Sequence, residues 1–208
     1  MTVTIFGASG RTGKYLVSKA LGKGYFVKAF VRDRSRLSIK DPKLTLIEGD
    51  IHNVVAVEQA IAGSDAVLSA LGWTRKSRKD VLSEAAANIV AAMKKHNIRR
   101  VIALTGYGVR FPKDPPDSFS KKLLHAGIKI ILPHLLPEGE KYAKAIMESG
   151  LEWIIVRAPI LSNAKGRGLY KTGYFDPGLK MIPREDVADF MIKQLTSNQY
   201  VGEAPVIG

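Results

Sequence analysis

Short apolar runs alternate with segments of helical periodicity along most of the chain, which is the pattern of an α/β protein. Strands are predicted at residues 3–6, 26–31, 44–48, 66–70, 100–104, 153–156 and 205–207. The first helix is predicted to follow the first strand and to end at residues 22–24. Further helices are predicted at residues 54–61, 81–96, 140–149 and 184–195. The fourth strand, A-V-L-S-A, is apolar at nearly every position, as in a parallel strand covered on both faces. We therefore expect one α/β domain over residues 1–208, with helices on both faces of a parallel sheet.

Two stretches without a regular period, at about residues 106–139 and 158–181, are expected to form a small substrate region. The first contains five prolines around a short apolar run at 128–132, and the second contains a glycine-rich basic loop. His125 and His134 lie in the first stretch. We interpret both as structural or surface residues, because a lone histidine is more often structural than catalytic.

Three glycines, Gly7, Gly10 and Gly13, separate the first predicted strand from the first helix. Their spacing is one residue wider at the first gap than the usual dinucleotide fingerprint. The first glycine permits a tight turn, the second lets the backbone approach a diphosphate, and the third lets the helix pack closely on the sheet. Free N–H groups and the positive end of the helix dipole would then face the phosphates. The alternative is a tight strand-to-helix turn with no ligand.

The basic stretch V-R-D-R-S-R-L follows the second strand. In NAD-type fingerprints an acidic residue about twenty positions past the glycines holds the ribose hydroxyls, and Asp33 is close to that position. However, Arg32, Arg34 and Arg36 surround it, and guanidinium groups suit a 2′-phosphate. The pattern favours NADP, most clearly at Arg32. A solvated basic loop is the alternative for Arg34 and Arg36.

Polar and small residues follow the later strands, and ligands of open parallel sheets bind beyond the carboxyl ends of the strands. Asp50 is expected beside the adenine, as a cap of the helix that begins near Val54, or as both. Gly72 would let the backbone lie close to the cofactor. The turn Thr105-Gly106-Tyr107-Gly108 is expected near the nicotinamide. Tyr107 is either a ring that stacks on the substrate or an ordinary packed aromatic.

No catalytic group stands out in the sequence. The Tyr-x-x-x-Lys signature of short-chain dehydrogenases occurs at Tyr15 and Lys19, on the first helix behind the glycine turn, where a nicotinamide cannot reach it. Metal-ligand spacing and a nucleophile elbow are missing, so no metal is expected. Conjugated acceptors such as flavins, quinones and linear tetrapyrroles need less acid help, because solvent can supply the proton. Thr105 and Tyr107 are the candidates for a catalytic role.

The composition limits the class of partner. Lys and Arg total 32 against 19 Asp and Glu, which gives a net charge of +13 that is scattered along the chain. This balance suits anionic small ligands, and a diffuse basic surface is more typical of solubility than of nucleic-acid binding. The chain has no cysteine, no N-terminal signal pattern and no apolar run of membrane length. We expect a cytoplasmic monomer or weak homodimer that avoids membranes and acts on a small acceptor, which could be anionic.

Taken together, these residues resemble the atypical short-chain dehydrogenases/reductases of the NAD(P)H-binding, NmrA-like group, and within it the NADPH-dependent flavin reductases (biliverdin-IXβ reductases). The resemblance covers nearly the whole chain and depends on I-F-G-A-S-G-R-T-G, V-R-D-R-S-R-L, S-E-A-A-A-N-I-V-A-A-M-K and E-S-G-L. It implies a Rossmann-like doubly wound sheet and NADPH-dependent hydride transfer to a small conjugated acceptor. A non-catalytic, NADP-binding redox sensor is the alternative.

The resemblance also implies which residues hold NADP(H). They occupy the glycine turn, the basic stretch and the ends of later strands: Gly7, Ser9, Gly10, Arg11, Thr12, Gly13, Arg32, Arg36, Asp50, Ile51, Leu71, Gly72, Thr105 and Pro159. The chain departs from the reductases at two positions, with Gly106 in place of a serine and Ile160 in place of a histidine. Both departures weaken biliverdin as a substrate, because those side chains line its site in the reductases, and neither affects the cofactor prediction.

Overall fold

Ten strands are found in the part of the chain that the computed structural model describes, residues 1–74, 77–116, 127 and 133–208. They are β1 (Thr2–Phe6), β2 (Phe26–Val31), β3 (Leu44–Glu48), β4 (Ala66–Ser69), β5 (Arg100–Gly106), β6 (Glu152–Ala158), β7 (Ile160–Ser162), β8 (Thr172–Gly173), β9 (Met181–Pro183) and β10 (Val206–Ile207). Eight of them form one sheet in the order β3-β2-β1-β4-β5-β6-β10-β8, while β7 and β9 pair separately. All pairs are parallel except β10 with β8. His125 and the predicted apolar run at 128–132 lie outside the described residues.

Helices cover both faces of the sheet. They are α1 (Gly13–Gly22), α2 (Val54–Ile61), α3 (Val81–Lys95), α4 (Leu135–Met147) and α5 (Arg184–Lys193). One core cluster contains Leu16 of α1 and Phe190 of α5, and the other contains Val57, Ile89 and Tyr142 from the remaining helices. This arrangement confirms the predicted α/β fold, a Rossmann-like doubly wound sheet. No helix in the described ranges is long and apolar enough to cross a bilayer.

Helix α2 shows how a local signal sets a boundary. Its N-cap is Asn53, whose side chain accepts a hydrogen bond from the Ala56 N–H at 3.1 Å. The suggestion that Asp50 caps this helix is therefore wrong. Asp50 lies three residues earlier, and its carboxylate accepts instead from the His52 N–H at 2.9 Å. Asn and Asp are equally good N-caps, so only the backbone path decides between them.

The predicted boundaries hold to within two residues except at one helix. Helix α4 begins at Leu135, five residues before the predicted start at residue 140, with Pro137 in its first turn. Proline is tolerated there because the first N–H groups of a helix have no intrahelical partner. Strands β5 and β6 each run two residues past their predicted ends, because Gly106 still pairs with Ala158. The short strands β7, β8 and β9 lie in stretches that were expected to be irregular.

Candidate cofactor and acceptor site

The carboxyl ends of β1 and β4 lie side by side at one edge of the sheet. The two strands are neighbours, with Phe6 paired to Ser69. The strand order reverses between them, because β2 and β3 lie on the outer side of β1, whereas β5 and β6 lie on the outer side of β4. Gly7 follows β1 with φ +74°, and a Cβ there would lie 2.7 Å from the Ala70 carbonyl oxygen. The turns after β1 and β4 are therefore in contact. Ligands of doubly wound sheets bind at this switch point.

Helix α1 begins directly on the glycine turn. A Cβ at Gly13 would lie 2.0 Å from the Gly7 carbonyl oxygen, so only glycine allows the helix to start this close to the strand. Gly10 is exposed, and its N–H donates to the same oxygen at 2.9 Å. Gly7 and Gly13 thus have the steric roles that the spacing predicts, and Gly10 leaves the outer surface of the turn open.

The N-terminus of α1 lacks the usual compensation for its free donors. Thr12 occupies the N-cap position without a side-chain cap, and the first turn contains no acidic residue. Within the described ranges, the backbone N–H groups of Ser9, Arg11, Thr12 and Gly13 find no hydrogen-bond acceptor. Unpaired N–H groups and the helix dipole together form an anion site. The turn therefore fits the diphosphate of a dinucleotide.

The basic stretch after β2 presents arginines in different states. Asp33 accepts from the Ser35 hydroxyl at 2.6 Å and from the Ser35 N–H at 2.9 Å, and these bonds lower the pKa of its carboxyl group. Arg34 forms an ion pair with Glu48 at 3.4 Å. Arg32 and Arg36 are exposed, and neither forms a salt bridge with any described residue. Two guanidinium groups thus stay available to an anionic ligand.

The turn after β3 lies at the same edge of the sheet. Asp50 is exposed, whereas the side chain of Ile51 is buried in the core and its carbonyl oxygen accepts from Asn88 Nδ2 at 2.8 Å. His52 Nδ1 forms a hydrogen bond with the Glu84 carboxylate of α3. Asp50 is therefore the member of the predicted adenine pair that offers its side chain to solvent, and Ile51 anchors the turn.

A cavity of about 220 Å³ lies beyond the ends of β4, β5 and β6. Leu71 and Gly72 line it after β4, residues 104–109 at and beyond the end of β5, and residues 158–160 at and beyond the end of β6. The structure therefore brings together Thr105, Tyr107 and Pro159, which the sequence placed near the nicotinamide. The two departures from the reductase pattern, Gly106 and Ile160, also lie in this wall. Trp73, Leu82 and Leu179 complete the apolar surface.

Helix α4 forms a wall of the cavity, and its first turn lies in the stretch that was expected to be an irregular part of the substrate region. Leu135, Leu136, Gly139 and Tyr142 all face the cavity. A Cβ at Gly139 would lie 3.0 Å from Val109 Cγ2, so glycine lets the helix approach the end of β5. The helical spacing of these residues is present in the sequence, but Pro137 obscured it. A helix extended back through its proline would have found the wall.

Tyr107 is packed into the wall of the cavity. It is only 5% exposed and it lines the cavity. Its ring lies 5.9 Å from the guanidinium carbon of Arg157, which is fully buried. Arg157 in turn forms an ion pair with Asp114 and donates to the Val109 carbonyl at 3.1 Å. Tyr107 is thus a packed aromatic in a cavity wall, and Arg157 fixes the loop that carries it.

The phenol of Tyr142 is a second hydroxyl in the wall. It donates to Ser69 Oγ at 2.6 Å, and the side chain is only 1% exposed. Burial raises the pKa of this phenol well above its ordinary value, so it stays protonated at all physiological pH values. The Tyr15 and Lys19 pair lies elsewhere, on α1, where Lys19 Nζ contacts Glu185 of α5 at 3.6 Å.

Similarity to known proteins was found in sequence and in structure. The chain is 30% identical over 130 residues to the mitochondrial NADH-ubiquinone oxidoreductase 40 kDa subunit of Neurospora crassa, covering 58% of the chain and 34% of that subunit. The chain thus spans only about a third of this curated relative.

Two solved structures share the fold at low identity. A short-chain dehydrogenase/reductase of Veillonella parvula, solved in complex with NADP, superposes with a TM-score of 0.82 at 22% identity, covering 100% of this chain and 94% of that one. ChuY, an anaerobilin reductase of Escherichia coli O157:H7, superposes with a TM-score of 0.82 at 17% identity, covering 100% and 96%.

The sequence model of the NAD(P)H-binding family matches residues 7–198, which include the glycine turn, the basic stretch and the cavity walls. This match confirms the resemblance at the level of the family, and the fold is that of NAD(P)H-binding oxidoreductases. The chain belongs to the NAD(P)H-binding family.

Proposed function

We propose that this protein is an NADPH-dependent reductase of a small, uncharged conjugated acceptor. The observation that carries the proposal is the position of two features on one sheet edge: an uncapped helix N-terminus at the glycine turn and an apolar cavity beside it. The first suits the cofactor diphosphate, and the second suits a flat apolar ring system. The NADP complex of the Veillonella parvula protein, which has the same fold, supports this arrangement.

The residues of the glycine turn, from Gly7 through Ser9, Gly10, Arg11 and Thr12 to Gly13, would hold the diphosphate. Arg32 and Arg36 would bind the 2′-phosphate, because they are exposed cations that form no salt bridge with any described residue. Asp50 and Ile51 would lie beside the adenine. The turns at Leu71, Gly72, Thr105 and Pro159 would support the ribose and the nicotinamide, which supplies a hydride when the cofactor is bound.

The nature of the cavity wall indicates the acceptor. None of the described residues that line it is charged, and most of its side chains are aliphatic or aromatic. The carboxylates of a linear tetrapyrrole, or the phosphate of a flavin nucleotide, would find no cation among these described lining residues. Burying a charged group without a partner costs free energy, and a quinone, which is uncharged, avoids this cost. The glycine at 106 and the isoleucine at 160 make the wall less polar than in the reductases that the sequence resembles.

The walls give the chain two tasks in the reaction. Apolar side chains exclude water around the acceptor ring, and Tyr107 and Thr105 offer hydroxyl groups at the ends of the strands. Since reduction of a quinone leaves oxygens that solvent can protonate, no dedicated acid is required. Thr105 and Tyr107 therefore serve as positioning groups in this proposal.

The test is the oxidation of NADPH, followed at 340 nm, with a panel of a naphthoquinone, riboflavin, FMN and biliverdin. We expect turnover with the quinone, less with riboflavin, and least with the two anionic acceptors. Tight NADPH binding without turnover of any acceptor would overturn the reductase and favour the redox sensor. Faster turnover of biliverdin than of the quinone would overturn the preference for an uncharged acceptor.

A further inference from the structure

Arg184 is a buried cation without an acidic partner. It is the first residue of α5, is only 7% exposed, and donates from Nη1 to Asn163 Oδ1 at 2.7 Å. In the described part of the chain, no carboxylate lies within ion-pair distance of its guanidinium group. Buried charges in proteins are normally paired, because removal of an ion from water is costly.

The acids closest in sequence to Arg184 are engaged by other groups. Glu185 accepts from the Gly166 N–H at 2.9 Å and contacts Lys19 Nζ at 3.6 Å. Asp186 accepts from the backbone N–H groups of residues 167 and 168, at 3.1 and 2.9 Å. Both carboxylates thus hold the loop before α5 and leave the guanidinium uncompensated. By contrast, Arg157, which is fully buried, has a carboxylate oxygen at 2.5 Å.

Arg184 lies near the glycine turn. Helix α5 packs against α1, as the contact between Lys19 and Glu185 shows. Arg11 of the glycine turn is near enough to act on Arg184: burial lowers the pKa of the Arg184 guanidinium, and the positive charge of Arg11 lowers it further. The start of α5 therefore lies beside α1, and Arg184 lies within electrostatic range of Arg11, in the turn whose free N–H groups find no acceptor among the described residues.

We infer that Arg184 and Arg11, together with the N–H groups at the start of α1, form the binding site for the cofactor diphosphate, and that Arg184 contacts the phosphate oxygens. A guanidinium group matches two phosphate oxygens at once, and a diphosphate supplies the negative charge that the protein does not. The inference rests on the proposed function, because it concerns the same cofactor. It adds a residue more than 170 positions beyond the glycine turn.

The test separates the two phosphate sites of the cofactor by calorimetric titration with NAD, NADP and adenosine 2′-monophosphate. Arg184→Met should lower the affinities for NAD and for NADP by roughly ten- to a hundredfold each, which is the range expected for a lost charge-assisted hydrogen bond. The affinity for adenosine 2′-monophosphate should not change, because that ligand has no diphosphate. Arg167→Met, which removes an exposed arginine of the neighbouring loop, is the matched control and should change none of the three affinities.

Arg184→Gln keeps a donor for Asn163 and serves if the methionine variant does not fold. It should show the same loss of NAD and NADP affinity, while its melting temperature without ligand stays near that of the unmodified protein. NAD affinity equal to that of the unmodified protein in either variant would overturn the inference and leave the proposed function intact. Unmodified protein that binds neither nucleotide would overturn both.

Discussion

Replacement of Arg32 by alanine should weaken the binding of NADPH and leave the affinity for NADH unchanged. Arg32 follows β2, is exposed, and forms no ion pair with any residue that the structure describes. Its removal therefore breaks no ion pair among the described residues, and the free energy of unfolding should change by less than about 0.5 kcal/mol. The substitution should therefore change the affinity only through the lost contact with the 2′-phosphate of NADPH.

The magnitude follows from the chemistry of the contact. A hydrogen bond between charged groups contributes about 1.5–3 kcal/mol. Its loss corresponds to a roughly ten- to hundredfold increase in the Kd of NADPH. Exposure to solvent places the expected value toward the lower end of that range, and the effect should shrink as salt screens the charges.

Calorimetric titration with NADPH and NADH measures both affinities directly. Arg34→Ala is the matched control, since Arg34 lies in the same stretch but is engaged by Glu48 at 3.4 Å. We expect that variant to bind NADPH within about threefold of the unmodified protein, because surface ion pairs contribute little. An equal loss of NADPH and NADH affinity in Arg32→Ala would refute the assignment of Arg32 to the 2′-phosphate.

Three other changes test the surrounding structure. Gly13→Ala places a Cβ 2.0 Å from a backbone oxygen and should cost about 1–3 kcal/mol in urea unfolding, whereas Gly22→Ala, in open space on the same helix, should be neutral or stabilising. Arg157→Met removes the buried ion pair with Asp114 and should cost about 3–5 kcal/mol, a loss that the double replacement Arg157→Met with Asp114→Leu should largely reverse. Hydrogen bonds from Lys113 and then Tyr174 lower the pKa of Glu203 below 4.5, so its contribution to stability is present above pH 4.5 and is lost on acidification. Glu203→Gln should therefore flatten the acid side of the pH dependence of the unfolding free energy, and an unchanged profile would contradict the shift.

Most of the fold could be predicted because its signals are local. Strand β2 and helix α2 have the predicted bounds, since β-branched runs, Asn53 and the flanking glycines mark them within a few residues. The ends of β5 and β6 could not be predicted, because the last pairs there are made between strands and have no mark in either sequence. Helix α4 was shortened because Pro137 is a stop signal inside a helix and a permitted residue in its first turn.

The candidate site divides in the same way. Gly7 and Gly13 were identifiable because the backbone requires glycine at both positions. Arg184 was not, because nothing in the sequence distinguishes a buried arginine that lacks an acidic partner among the described residues from an ordinary basic residue at a helix start. The wall formed by Tyr142 was hidden too, since its role depends on where α4 lies against β5. Residues that act through tertiary placement carry no local signal.

The most direct test of the account is a calorimetric titration of the unmodified protein with NADP and NAD. The account predicts saturable binding of both nucleotides at the turn between β1 and α1, with NADP the tighter ligand. Absence of saturable heat with both nucleotides would contradict it.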